Sequence, residues 1–218
     1  MKKILLISYL DYPYPAGICT RINGLVRVLV QNGFEVTILA PIARDDARLP
    51  EKEQKNNYYI ERINIRKLFS VHESSKFGKM LQWLIFSIIA SLRVARYYIK
   101  NRSLIQYQSI YSAVPALFAK FLLRAKIIGD DIVLIHPLID ILVIKLTDVI
   151  VTPSLRTYWF ARQLRKLTLY VPNGVEQTLH KRRTSDLKPN NILFVGSLSF
   201  DQNLKALENI FKIASTLD

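Results

Sequence analysis

Gly17, Arg21 and the adjacent acids Asp130 and Asp131 are the residues whose types and placement can do chemistry. Gly17 closes a loop that carries Pro13 and Pro15, and Arg21 lies one helical turn further on. A loop feeding a helix N-terminus offers unpaired backbone N–H groups and the positive end of the helix dipole, a setting that suits a phosphate. A guanidinium one turn inside brings a planar fork to the same anion. The alternatives are a plain turn glycine and a solvated helix face. Asp130 and Asp131 follow the apolar segment Lys126 to Gly129, which places them at the carboxyl end of a strand, where doubly wound sheets bind ligands. There a carboxylate can contact the hydroxyls of a ligand or assist proton transfer, or it can simply cap a turn. His72 and His136 stand alone, without metal-ligand spacing to any Cys, His or carboxylate cluster, so no metal is expected. Pro172, Asn173 and Gly174 read as a turn, because Asn-Gly readily takes positive φ and lets the chain bend.

The elements that must position these residues alternate along the chain. Ile4 to Tyr9 is a continuous apolar run, as in a central parallel strand covered on both faces. Ile18, Ile22, Leu25, Val26, Leu29 and Val30 then form one helical stripe, with Gly33 where a left-handed cap is wanted. Glu35 to Leu39 is a second strand. The alternation continues through strands at Tyr59 to Ile65, Leu104 to Gln108, Lys126 to Gly129, Asp148 to Val151 and Leu167 to Val171. Helices are expected between them at Lys76 to Lys100, Val114 to Arg124, Leu138 to Leu146 and Leu155 to Leu164. The charged stretch Asp45 to Asn57 reads as a surface loop. This pattern predicts an α/β fold with a doubly wound, Rossmann-like parallel sheet.

From Glu176 to Asn191 the apolar pattern lapses, which suggests a linker. It restarts with a strand at Ile192 to Val195, a loop from Gly196 to Gln202 and an amphipathic helix from Asn203 to Leu217. The expected organisation is a domain over 1–175, a linker over 176–191, and the first strand and helix of an incomplete second domain over 192–218. One strand and one helix bury little by themselves, so they are expected to dock on the first domain, on a second copy of the chain or on a further, separately encoded domain.

Composition narrows the partners. The 218 residues are 50% hydrophobic and carry a formal net charge of +14, which disfavours disorder and favours phosphate-rich company. The cations are scattered without a recognised nucleic-acid motif, so nucleic acid is not expected. Cys19 is the single cysteine, which excludes an intrachain disulfide and fits a reducing compartment. There is no GxGxxG pattern, which argues against a dinucleotide-dependent oxidoreductase. Met80 to Leu92 is too short an apolar run to span a bilayer. The segment Lys76 to Arg102 is apolar nearly all round between Leu81 and Leu92 and basic after it. It is therefore either a buried core helix or one that lies in a membrane interface with its cations on anionic head groups.

Four segments, in order, resemble the family 4 glycosyltransferases of GT-B type. The first runs from Pro15 to Pro41, with Gly17, Arg21 and Leu29, then Gly33, Phe34, Glu35, Val36 and Thr37 leading into the second strand. The second is Gln106 to Asp131. The third pairs Asp148, Val149, Ile150, Val151, Thr152, Pro153 and Ser154 with Val171 to Glu176, and is similar to the family's passage into its interdomain hinge. The fourth, ILFVGSLSFDQN from Ile192 to Asn203, resembles the first strand and phosphate-side loop of the nucleotide-sugar domain.

The resemblance implies the acceptor-side half of a glycosyltransferase with an unfinished donor half. Transfer would run from a nucleotide-activated sugar, as co-substrate, to a glycan or lipid-linked acceptor, with no other cofactor. It also implies donor-phosphate contacts from Gly17, Arg21, Gly196, Ser197, Gln202 and Asn203, and a hinge at Pro172, Asn173 and Gly174. Where many members carry a basic pair, this chain has Ser197 and Gln202, and where a histidine often follows the strand ending at Gly129 it has Ile132. The expected place is cytoplasmic, with peripheral contact at the inner membrane face. A catalytically silent partner subunit built on the same fold is the alternative.

Overall fold

The computed structural model describes residues 2–10, 12, 17–42, 49–55, 57–65, 76–130, 134, 137–173 and 208. The chain divides into the units Met1–Gly174 and Val175–Asp218. Almost all described residues belong to the first. The linker 176–191, the strand and helix expected within 192–217, and Asp131, His72, His136, Gly174, Gly196, Ser197, Gln202 and Asn203 lie outside the described residues.

Strand β1 (Lys3–Ile7) is buried on both faces, as its unbroken apolar run requires. Ile4 and Leu6 join one core cluster, while Leu5 and Ile7 join the other, because successive side chains of a strand alternate across the sheet. Helix α1 (Gly17–Gln31) places Ile18, Cys19, Ile22 and Val26 against the first face. It ends where Gly33 takes a φ of 77°, and Phe34 N–H reaches back to Leu29 C=O at 3.1 Å. That closure needs the left-handed conformation glycine adopts most cheaply.

After α1 come β2 (Glu35–Ile42), β3 (Lys52–Lys55), β4 (Tyr58–Asn64), α2 (Lys76–Asn101), β5 (Leu104–Gln108) and a 3₁₀ turn (Ile110–Ser112). They are followed by α3 (Ala113–Leu123), β6 (Ile127–Asp130), α4 (Pro137–Leu146), β7 (Val149–Thr152), α5 (Leu155–Gln163) and β8 (Leu167–Tyr170). The sheet has eight strands in the order β3-β4-β2-β1-β5-β6-β7-β8. Every pairing is parallel except β3 on β4. Chain order reverses between β1 and β5, so the topological switch point lies there, and ligands of such sheets bind outside the carboxyl ends of those strands. Residues of α2, α3, α4 and α5 pack into the second cluster, on the face opposite α1.

One expectation is corrected. The charged stretch read as a loop over Asp45 to Asn57 contains β3, whose sequence KEQK pairs antiparallel with Tyr58–Glu61. Its cause is tertiary. Arg62, with 0% exposure, is one of the largest fully buried side chains. It donates from Nε to Tyr12 C=O at 2.7 Å, from Nη1 to Pro50 C=O at 2.8 Å and from Nη2 to Glu53 Oε2 at 2.6 Å. A buried guanidinium must have its donors met, and β3 brings the carboxylate that meets it. Charged side chains on such an edge also discourage pairing with other chains.

Two carboxylates give the fold an acid limit. The hydrogen bond from Arg62 holds Glu53 below its ordinary value. Burial works to raise Asp148, but the hydrogen bonds from Lys120 and from the Ile127 N–H outweigh it and bring the group down. Both are depressed on folding, so their stabilisation is full above the unfolded carboxylate values and is lost as pH falls through the lower folded ones. Urea midpoints are expected to fall once pH drops below about 4, and the Glu53→Gln, Asp148→Asn double variant is expected to show a flatter acid limb. Superimposable pH profiles for the two proteins would exclude this role.

Candidate functional site

Four elements converge at the carboxyl edge of the sheet beside the switch point. Leu104 packs on the α1 side of the sheet, and by strand alternation Gln106 and Gln108 face the same way. Ile127 packs on the opposite side, so Ile128 and Asp130 also face α1. Gln108 is the register partner of Asp130. Arg21 reaches this point from the second turn of α1.

Asp130 is 2% exposed and is met from both directions. Arg21 Nη2 donates to Oδ1 at 2.7 Å, and Nε contacts Oδ1 at 3.1 Å and Oδ2 at 3.3 Å. Gln108 Nε2 donates to Oδ2 at 2.8 Å and Gln106 Nε2 at 3.2 Å. Donation to the carboxylate fixes the orientation of both amides. That leaves Gln108 Oε1 buried without a partner among the described residues, an orphan acceptor directly behind the ion pair.

The far edge of the guanidinium turns toward the end of the described chain. Arg21 Nη1 donates to Val171 C=O and to Asn173 Oδ1, both at 3.1 Å. Val171 N–H in turn bonds Thr152 C=O at 3.0 Å, which continues the β7–β8 pairing by one residue. One arginine thus joins α1, the end of β6 and the segment following β8. Pro172 and Asn173 are exposed.

The other expected residue of the loop, Gly17, is the first residue of α1. A Cβ built on it meets nothing within 4 Å, so packing in the described chain does not demand glycine there. The switch point itself carries an aromatic pair. Tyr9 follows β1 and Tyr111 follows β5, with ring centroids 5.3 Å apart, and Trp83 Nε1 donates to Tyr111 C=O at 2.6 Å. A separate open groove lined by Asn23, Arg27, Asn57 and Tyr58 shares none of the site residues. Among the described residues no group of three or more His, Cys, Asp and Glu is placed to hold a metal ion.

The structure therefore brings together Arg21, Asp130 and Asn173, which stand out in the sequence for separate reasons. It adds Gln106 and Gln108, which are not among the expected site residues. Their signal is legible afterwards: in LIQYQ two amides alternate along a strand between apolar neighbours, and amides on a central strand need buried partners. Chemically, the site presents a guanidinium whose charge is largely answered from behind and whose exposed edge meets a carbonyl and an amide, with a helix N-terminus one turn away.

No family model matches the chain, and no curated protein matches it in sequence. Solved structures do match in fold. Sucrose-phosphate synthase from Thermosynechococcus elongatus superposes with a TM-score of 0.63 at 14% identity, over 82% of this chain and 50% of that one. An E. coli trehalose-6-phosphate structure bound with UDP-2-fluoro glucose gives 0.53 at 12% identity, over 86% and 52%. Acinetobacter baumannii MurG gives 0.53 at 14%, over 83% and 48%. These neighbours are GT-B glycosyltransferases, and the chain spans about half the length of each. At such identities the likeness is one of fold, a Rossmann-like half of the GT-B type.

Proposed function

We propose that this chain is the acceptor-side half of a family 4, GT-B-type glycosyltransferase that moves a sugar from a nucleotide-activated donor to a glycan or lipid-linked acceptor. The observation that carries the reading is the Arg21–Asp130 pair at the carboxyl edge of the switch point, in a fold shared with such enzymes. In this reading Asp130 aims Arg21 and does not take the proton, because its oxygens are engaged and it is 2% exposed. Gly17 leaves room for a diphosphate to approach the first N–H groups of α1. Gly196, Ser197, Gln202 and Asn203 serve the donor from the other half, Pro172, Asn173 and Gly174 form the bend between halves, and the nucleotide sugar is co-substrate, with no further cofactor.

Titration of the 218-residue chain with UDP, GDP and dTDP, followed by fluorescence of the aromatic pair, tests the reading. At least one nucleotide is expected to bind in the millimolar range or tighter, and Gly17→Val and Arg21→Lys are each expected to weaken it about tenfold. Release of nucleoside diphosphate from the matching nucleotide sugar is not expected from this chain alone. A folded chain that binds none of the three and no glycan would end the proposal. The silent-partner alternative predicts the same binding, and predicts that turnover stays absent once a donor half is supplied.

A further inference from the structure

The two faces of the sheet are finished differently on the outside. Helix α1 turns a mostly polar surface outward, with Val28 its single exposed large apolar residue. The helices on the opposite face do not. Along α2 the residues Met80, Leu84, Ile88 and Leu92 are exposed at intervals of four, and the same ridge continues as the exposed Arg96 and Lys100. At a rise of about 1.5 Å per residue the apolar part runs roughly 18 Å before the cations begin. Phe121 on α3 is 66% exposed, Leu138 on α4 84% and Trp159 on α5 62%. This helical layer therefore shows apolar side chains on both its surfaces, which a monomer in water rarely does.

The second observation is conformational. Helices α2, α3 and α5 are followed by Arg102, Arg124 and Arg165, with φ of 49°, 56° and 57°. Each closes its helix with a backbone bond, Arg102 to Tyr98, Arg124 to Lys120 and Arg165 to Arg162. Glycine is the residue such a left-handed closure favours, and α1, on the other face, uses it at Gly33. Charge complementing the helix dipole does not explain the choice, since Lys100, Lys120 and Arg162 already occupy the last turns of these helices. The three arginines lie two or three positions before the first residues of β5, β6 and β8. All parallel strands begin at one edge of the sheet, so the arginines form a basic rim there with Lys126 and Lys166. The carboxylates at that edge, Glu35 and Asp148, are answered by Lys3 at 3.3 Å and Lys120 at 2.6 Å.

From the apolar outer surface and its cationic rim we infer that the α2–α5 layer docks on an anionic lipid bilayer. Charge decides the occupant: a second copy would bring an identical cationic rim, whereas anionic head groups answer it while the ridge enters the acyl boundary. The docking is peripheral, since among the described residues no helix is long and apolar enough to cross a membrane. It is independent of the transferase proposal, because vesicle binding needs neither nucleotide nor sugar.

The test floats the 218-residue chain with vesicles of phosphatidylcholine, or of the same lipid with roughly a third phosphatidylglycerol, at low and high salt. Binding is expected on the anionic vesicles and is expected to fall with salt. In the Arg102→Gly, Arg124→Gly, Arg165→Gly variant, affinity is expected to drop on the order of a hundredfold, from about 1 kcal/mol per cation. Its thermal midpoint is expected to stay level or rise, because glycine relieves the left-handed closures. Leu84→Gln with Ile88→Gln and Leu92→Gln, all at exposed positions, is expected to keep the fold and lose vesicle binding. Equal binding to neutral and anionic vesicles would overturn the inference. So would a lowered midpoint in the glycine variant with its binding intact, which would make the arginines parts of the fold. A dimer that the ridge variant dissolves, from a chain that floats with neither vesicle, would make the face a contact between copies.

Discussion

Asp130→Ala is expected to destabilise the first unit by about 3 to 5 kcal/mol, the usual cost of stranding one member of a buried ion pair. The Arg21 side chain is 11% exposed and that of Asp130 2%, so solvent offers the guanidinium little in exchange. The loss is larger than a single contact would suggest, because the same carboxylate accepts from Gln106 and Gln108. Without it, two buried amides lose their acceptor together with the arginine. Asp130→Asn is expected to cost less, since it keeps an acceptor oxygen though it removes the charge. Arg21→Met combined with Asp130→Leu is expected to be milder than the sum of the single changes, as removing both charges leaves neither unanswered. Urea denaturation measures the unaltered chain, these three variants and the single changes Arg21→Met and Asp130→Leu. Strict additivity, or a loss under about 1 kcal/mol for Asp130→Ala, would show that the pair is not coupled as its geometry requires. Hydrogen exchange supplies a second readout: loss of the aimed guanidinium should speed exchange at Val171, whose carbonyl it holds, more than at the amides of β1.

Arg62→Met is the second large effect expected, at about 3 kcal/mol or more. Methionine fills much of the volume but leaves Tyr12 C=O and Pro50 C=O without the donors they now have, and leaves Glu53 only the more exposed Lys55 at 3.4 Å. The distinctive consequence is local. β3 has the exposure pattern of an edge strand and buries little of its own, so it depends on the arginine beneath it. Proteolysis within Lys52–Lys55 is expected to accelerate more than global unfolding explains. Arg62→Lys is expected to recover only a small part of the loss, because one ammonium cannot span two carbonyls and a carboxylate lying in different directions. Protection of β3 in the Met variant equal to that of the unaltered chain would show that the strand stands on its own pairing.

Much of the fold is legible in the residues because its signals are local. The run at Ile4 to Tyr9, the stripe from Ile18 to Val30 and the cap at Gly33 each depend on neighbours within a turn or two, and each lies where its period places it. The βα alternation then leaves a parallel sheet as the natural arrangement, since parallel strands need crossovers. The apolar surround of α2 is equally plain in sequence, but a helix that is apolar on every side carries no mark of which side meets the core. Only packing against β4, β5 and α3 assigns Phe86, Ala90 and Val94 inward and leaves Leu84, Ile88 and Leu92 outward.

The site divides along the same line. Arg21, Asp130 and Asn173 attract notice singly, from the chemistry of their side chains and their places at element ends. That the first holds the second across 109 positions, and the third across 152, is invisible to any local pattern. The sequence by itself determined the described α-helices, every described strand but β3, and their order along the chain. The tertiary structure alone decided that β3 forms over a buried arginine, that two glutamines back a carboxylate, and that one guanidinium joins three segments. Those outcomes rest on desolvation: a charge removed from water must find its partner wherever the fold has brought one, however distant in the chain.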